Sequence, residues 1–189
     1  AWEDVALIRE IPGAVICDPA DDVQMEWIIK EFLKMEGIHY VRSNRKAVRN
    51  VYKKGSSFKI GQGNILKEGK DILIIAAGQL VSEALDCAEE LEKEGYSVEV
   101  IDMFTIKPLD EKLLIKEAKG KSKIVTIENH SIYGGLGSAV SEVIAENGIS
   151  VPVKRIGVKE KFGQVGTAEF LQEEFGLTAK QIKETICQF

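Results

Sequence analysis

The sequence predicts an α/β protein in two unequal parts: a partial α/β unit, then a three-layer α/β/α domain with a mostly parallel sheet. Three observations predict it. Short apolar, β-rich runs alternate with amphipathic helical stretches along most of the 189 residues, the pattern of parallel strands covered by helices. The first two runs, at 14–18 and 38–42, are joined by one helix-sized segment, the span of a single parallel crossover. A Gly-, Ser- and Lys-rich stretch at 53–70 then separates this short unit from a longer regular one.

Taken in order, residues 3–11 read as a short helix closed by Pro12 and Gly13, followed by the strand AVICD. Residues 21–35 read as a helix with Asp18 or Asp21 available as N-cap and Gly37 just past its end. Its Val23, Met25, Trp27, Ile28, Ile29, Phe32, Leu33 and Met35 exceed what one sheet face covers, so it is expected to pack on both sides. IHYVR is the second strand. Two short strands with their helices cannot form an independent core, so residues 1–55 are expected to be half of a domain whose other half lies upstream or on another chain. Residues 56–70 form a linker with a short strand near 64–66.

From residue 71 onward, strands at 72–77, 97–103, 123–128 and 151–157 alternate with helices at 79–94, 110–119 and 135–147. The helix from Gln79 carries the stripe Leu80, Val81, Ala84, Leu85, Ala88 and Leu91 and ends at Gly95. Thr167 and Thr178 open two final helices.

With 44% apolar residues the chain can bury a substantial core, and a formal net charge of −5 argues against general affinity for DNA, RNA or anionic membrane. Against that acidic balance, residues 37–67 contain no Asp or Glu, yet hold Arg42, Arg45, Lys46, Arg49, Lys53, Lys54, Lys59 and Lys67. A localised anion suits such a stretch; a solvated basic loop is the alternative. Arg42 and Arg45 are the leading candidates, because they follow a strand end and a guanidinium holds phosphate through paired hydrogen bonds.

Cys17, Cys87 and Cys187 form no C-x-x-C pair, and His39 and His130 are the only histidines. Reduced thiols in the cytoplasm are expected and a metal site is not. No apolar run approaches the roughly 20 residues that span a bilayer, and no signal pattern opens the chain. Ala1 leads directly into a helix, so the chain is expected to begin inside a longer polypeptide.

No nucleoside-triphosphate loop and no G-x-S-x-G elbow occurs. Gly134-Gly135-Leu136-Gly137-Ser138-Ala139 follows a strand and opens a helix, but Val140 stands where a dinucleotide fingerprint needs Gly or Ala. The segment reads as a tight packing turn, with an anion held on its N–H groups as the alternative. Glu128, Asn129 and His130 lie near a strand end, where α/β sheets place ligands. A site role and an interface role stay open for Glu128 and His130.

Several blocks, in order, carry a family resemblance: Glu3-Asp4-Val5-Ala6-Leu7-Ile8-Arg9 with Ile11-Pro12-Gly13, Asp18-Pro19-Ala20-Asp21, YVRSNR with Tyr52, Met103-Phe104-Thr105-Ile106-Lys107-Pro108-Leu109-Asp110, Thr126-Ile127-Glu128-Asn129-His130 and the Gly134–Val140 turn. Together they resemble the thiamine-diphosphate-dependent transketolase family over nearly the whole chain. The resemblance implies the second half of a pyrimidine-binding domain at 1–55, a linker at 56–70 and a complete transketolase C-terminal domain at 71–189. It implies transfer of a two-carbon ketol unit from a ketose phosphate to an aldose phosphate, as part of the pentose phosphate pathway. It also implies a homodimer, and a diphosphate-binding half supplied by an N-terminal domain or a separate subunit.

The family's activating glutamate, stacking aromatic residue and G-D-G magnesium motif are absent from the chain. The resemblance therefore implies no catalytic, cofactor-binding or metal residue here, thiamine diphosphate and magnesium in the complete enzyme only, and an inactive chain by itself. It assigns Arg45 to the substrate phosphate, with Arg42 supporting the strand end or the site; Lys46 replaces the family's frequent Pro.

Deoxyxylulose-phosphate synthase, which usually has R-Y-x-R-G here, and the beta subunit of 2-oxoacid dehydrogenases, with an arginine-containing segment before its Pro-Leu-Asp, are the related alternatives. A non-catalytic assembly or regulatory module is the alternative of a different class.

Overall fold

The computed structural model describes residues 2–45 and 47–189; Lys46, one of the basic residues singled out above, lies outside the described residues. The first unit contains α1 (Asp4–Arg9), β1 (Val15–Cys17), α2 (Asp22–Phe32) and β2 (His39–Val41). Of the two candidate caps for α2, Asp21 is the one used: its carboxylate accepts the Gln24 N–H at 2.9 Å. Its second oxygen accepts the N–H groups of Val51 and Tyr52 at 2.8 and 2.7 Å, which ties the chain after β2 back to the helix start. β1 and β2 pair in parallel, with Val15 opposite His39 and Cys17 opposite Val41. Ile28 of α2 is fully buried, whereas Ile29 and Leu33 are exposed, Leu33 at 83%.

The remaining elements are β3 (Asn64–Lys67), β4 (Ile72–Ala76), a 3₁₀ turn (Gly78–Leu80), α3 (Val81–Lys93), β5 (Val98–Asp102), β6 (Thr105–Lys107), α4 (Glu111–Ala118), β7 (Lys123–Ser131), α5 (Leu136–Glu146), β8 (Val153–Val158), α6 (Ala168–Glu174) and α7 (Ala179–Gln188). Five strands form one sheet in the order β3-β5-β4-β7-β8, all parallel except the edge strand β3, which runs antiparallel to β5. Along β4 the side chains alternate between two cores. Ile72, Ile74 and Ala76 pack with α3 and α7, while Leu73 and Ile75 pack with α4 and α5. Successive strand residues point to opposite faces, so an unbroken apolar run such as ILIIA requires cover on both, and the expected three layers follow. Thr167 and Thr178 cap α6 and α7, the latter in a capping box with Gln181.

Two features differ from the sequence expectation. β6 was not expected, because three residues are too few to show an alternation; it leaves the larger sheet after Phe104 and pairs antiparallel with β1, giving a second sheet of order β2-β1-β6. β7 is longer than expected and carries His130 within the strand rather than after it. Its pairing with β8 shifts between Ile127 and Ser131 and then resumes at Ser131 opposite Val158, while the Ser131 N–H donates to the Trp2 carbonyl at 2.8 Å.

Asp102 closes β5 at the junction of the two sheets and is fully buried. Burial pushes its carboxyl up to about 7, against hydrogen bonds from the Tyr52 hydroxyl at 2.5 Å and the Gln24 amide at 2.7 Å. An unfolded Asp titrates near 3.8, so in between only the folded chain keeps this proton. That contribution is complete below the unfolded value and is lost as pH rises through about 7. Asp102→Asn is expected to flatten this decline by on the order of 2 kcal/mol between pH 5 and 8. Urea midpoints of both proteins at the two pH values test it, and parallel pH slopes would refute it.

Candidate functional site

β2 delivers Arg42 to the end of the smaller sheet, where the Arg42 N–H donates to the Cys17 carbonyl at 3.0 Å. Its side chain is 14% exposed and held by two acids. Nε donates to Asp4 Oδ2 at 3.0 Å and Nη1 to Asp18 Oδ2 at 2.9 Å. Burial opposes the Arg42 charge, but Asp18 and Asp4 outweigh it and raise the guanidinium pKa. The same Asp4 oxygen accepts the Tyr40 hydroxyl at 2.7 Å. Burial works to raise the Asp4 carboxyl, and the Tyr40 and Arg42 interactions overcome it, leaving the pKa lowered.

Other charges of the basic stretch are also matched by acids distant in sequence. Arg49 makes a two-pronged pair with Asp86, at 2.7 and 2.9 Å, and donates to the Ser82 carbonyl at 2.6 Å. Lys67 pairs with Glu92 at 2.9 Å. Arg45 differs. It is exposed, no acid among the described residues pairs with it, and it lines a cleft of about 680 Å³ together with Asn44, Arg49, Gln79, Thr167 and Gln172, a cleft that Glu83 and Glu169 also line. The structure thus separates the two sequence candidates: Arg42 is enclosed by carboxylates and Arg45 faces open space.

Glu128 and His130 come together on β7. The Leu136 and Gly137 N–H groups, at the first turn of α5, donate to the Glu128 carboxylate at 2.7 and 2.8 Å. The anion on this turn is therefore the chain's own. The packing and anion readings of the Gly134–Val140 segment describe one arrangement. Burial pushes Glu128 up to about 7, against those two backbone hydrogen bonds. His130 is buried with Nδ1 2.7 Å from the Ser131 carbonyl, 3.7 Å from Glu128 Oε2, and Nε2 3.8 Å from Asp4 Oδ1. Burial lowers its pKa, with the Ser131 carbonyl acting in the opposite sense. His130 Nε2 and Asp4 Oδ1 have no hydrogen-bond partner among the described residues.

Asp4 and Asp18 were missed as site residues by the sequence reading, although both fall inside the quoted motif blocks. Among the described residues no cluster of three or more His, Cys, Asp or Glu side chains is arranged to hold a metal ion.

Residues 61–182 match the family model described as transketolase, C-terminal domain. The chain belongs to the transketolase family. It is 41% identical over 182 residues to the 6-deoxy-6-sulfo-D-fructose transketolase subunit of Clostridium sp. (strain MSTE9), covering 96% of this chain and 56% of that protein. It is 35% identical over 182 residues to the 1-deoxy-D-xylulose-5-phosphate synthase of Heliobacterium modesticaldum, covering 95% of this chain but 28% of the synthase. Among solved structures, a split-gene transketolase described as an inactive beta4 tetramer superimposes on all of this chain with a TM-score of 0.93 at 40% identity. The chain covers 61% of that transketolase subunit, so it spans little more than half the length of such transketolase subunits.

Proposed function

We propose that this chain is the C-terminal part of a thiamine-diphosphate-dependent transketolase that moves a two-carbon ketol unit from a ketose phosphate to an aldose phosphate. In this reading residues 1–55 are half of a pyrimidine-binding domain, 56–70 a linker and 71–189 the C-terminal domain. The observation that carries it is Arg45, left without an acid partner on the rim of a cleft at a strand end, in a chain matched throughout by a transketolase subunit.

Thiamine diphosphate, with magnesium, supplies the electron sink for cleaving the ketose carbon–carbon bond, and both are held by residues outside this chain. Arg45 binds the substrate's terminal phosphate, remote from the bond that breaks, and contributes orientation. Tetrahedral oxygens of a sulfonate fit the same guanidinium, and the relative named for 6-deoxy-6-sulfo-D-fructose makes a sulfo-sugar the second substrate to test. The exposed Ile29 and Leu33 of α2 are read as covered by the missing half of the first domain, and the complete protein as a homodimer through the C-terminal domain, joined to a diphosphate-binding half. No helix among the described residues is long and apolar enough to cross a membrane, and free cysteines at 17, 87 and 187 suit the reducing cytoplasm.

Reconstitution tests the proposal. Mixing this chain with the missing upstream segment and a diphosphate-binding half, plus cofactor and magnesium, is expected to restore ketol transfer that the chain alone lacks. Release of CO2 from pyruvate with joining of its remaining two carbons to an aldose phosphate would instead assign a deoxyxylulose-phosphate synthase, and CO2 release without that product a 2-oxoacid dehydrogenase. Binding without any turnover would favour an assembly or regulatory module.

A further inference from the structure

Arg45 lies midway between two anchored points of the chain, Arg42 and Arg49. Among the described residues no hydrogen bond holds Ser43, Asn44 or Arg45 itself. The segment is fixed at its far end by the Arg49–Asp86 pair, by the Asn50 amide on Asp22 at 3.1 Å and by the Val51 and Tyr52 N–H groups on Asp21. At its near end it is fixed by Arg42, through the backbone bond to Cys17 and the two carboxylates. An exposed guanidinium with several rotatable bonds loses entropy when it meets an anion, so the placement of its backbone anchors decides how much binding energy survives.

Asp18 and Asp4 contribute differently to the near anchor. Asp18 follows β1, the neighbour of β2, and its backbone is fixed by hydrogen bonds to Phe104 and Gly78. Asp4 reaches the anchor from α1, and one of its oxygens accepts both the Arg42 guanidinium and the Tyr40 hydroxyl. Its other oxygen is buried and faces His130 Nε2 at 3.8 Å, from β7 of the larger sheet. Tyr40 and Arg42 flank Val41 on one strand, so Asp4 grips that strand at both sides of its last residue.

We infer that Asp4 is a positioning residue for the anion site: it clamps Arg42 and Tyr40 so that the following segment presents Arg45 to the phosphate of the substrate. The inference rests on the transketolase reading above. It adds a role for a carboxylate that touches no substrate.

The experiment uses the reconstituted enzyme and compares a phosphorylated ketose with its unphosphorylated counterpart. Asp4→Asn, nearly isosteric, is expected to raise KM for the phosphorylated ketose by about tenfold, with kcat within about twofold and KM for the unphosphorylated sugar unchanged. Tyr40→Phe removes a single hydroxyl from the clamp and is expected to shift the same KM by about two- to threefold. A merely structural role predicts equal losses on both substrates, and that result for either variant overturns the inference. Should Asp4→Asn fail to fold, Tyr40→Phe decides alone, and an unchanged phosphate preference there is equally fatal. Arg45→Ala separates the two levels. A phosphate-specific loss in Arg45→Ala without one in Asp4→Asn overturns only the clamp, whereas no phosphate-specific loss in Arg45→Ala overturns the underlying reading.

Discussion

Arg45→Ala in the reconstituted enzyme is expected to raise KM for phosphorylated sugars by about 10- to 100-fold, while unphosphorylated sugars change by less than about twofold. The range follows from the cost of losing a hydrogen bond between charged groups, about 1.5–3 kcal/mol, at about 1.4 kcal/mol per tenfold. Two structural facts put the effect in binding rather than in folding. The side chain is exposed and no acid among the described residues pairs with it, so its removal strands no buried charge. It also lies apart from the buried Arg42 network, where deleting the guanidinium would leave Asp4 and Asp18 uncompensated. Steady-state kinetics on paired substrates decide the matter: equal KM changes for the two kinds of sugar would remove Arg45 from the phosphate site. Lys at position 45 keeps the charge but loses the planar fork, so a partial recovery there would show that paired hydrogen bonding, beyond charge, matters.

The larger sheet was legible because its signals are local. Each parallel strand reads as an unbroken apolar run, and the α3 stripe repeats at helical spacing within one turn or two. β6 was not, since Thr105–Lys107 has no local pattern and is defined only by its pairing with β1, nearly 90 residues earlier. The same limit governs the site. A run of basic residues with no acid nearby reads as a free positive field, but Arg42 meets Asp4 and Asp18, and Arg49 meets Asp86, through contacts between distant segments. Sequence spacing detects ion pairs only within a helical turn. The family resemblance separated Arg45 from Arg42 on motif position, and the geometry separates them again on independent grounds, exposure and pairing. The turn at Gly134–Val140 shows the converse. Its N–H groups were recognisable as an anion site, yet the anion, Glu128, arrives from the preceding strand by register and not by motif.

Gly135→Ala is expected to destabilise the chain by about 3 kcal/mol or more, through a contact that relaxation cannot readily relieve. A Cβ on Gly135 would lie 2.0 Å from Glu128 Oε2 and 2.6 Å from His130 Nδ1. Neither neighbour is the far end of a mobile chain. The Glu128 carboxylate is fixed by the first-turn N–H groups of α5, and His130 is buried with Nδ1 against the Ser131 carbonyl. If Glu128 withdraws, those N–H groups lose their acceptor at the helix start, and a buried carboxyl group is left without its donors. If α5 shifts instead, Leu136 and Val140 leave the core they share with Leu73 and Ile75. A double-mutant cycle distinguishes this account from a generic intolerance of alanine at the helix start. Glu128→Ala alone is destabilising because it empties the turn, but in its background Gly135→Ala should cost less than it costs alone, since the nearest obstructing atom is gone and only His130 Nδ1, at 2.6 Å, is left in the way. Denaturant unfolding of the four proteins measures the coupling. The same cost of Gly135→Ala in both backgrounds would mean that Glu128 does not set the requirement for glycine, and the tight approach would then have to be attributed to His130.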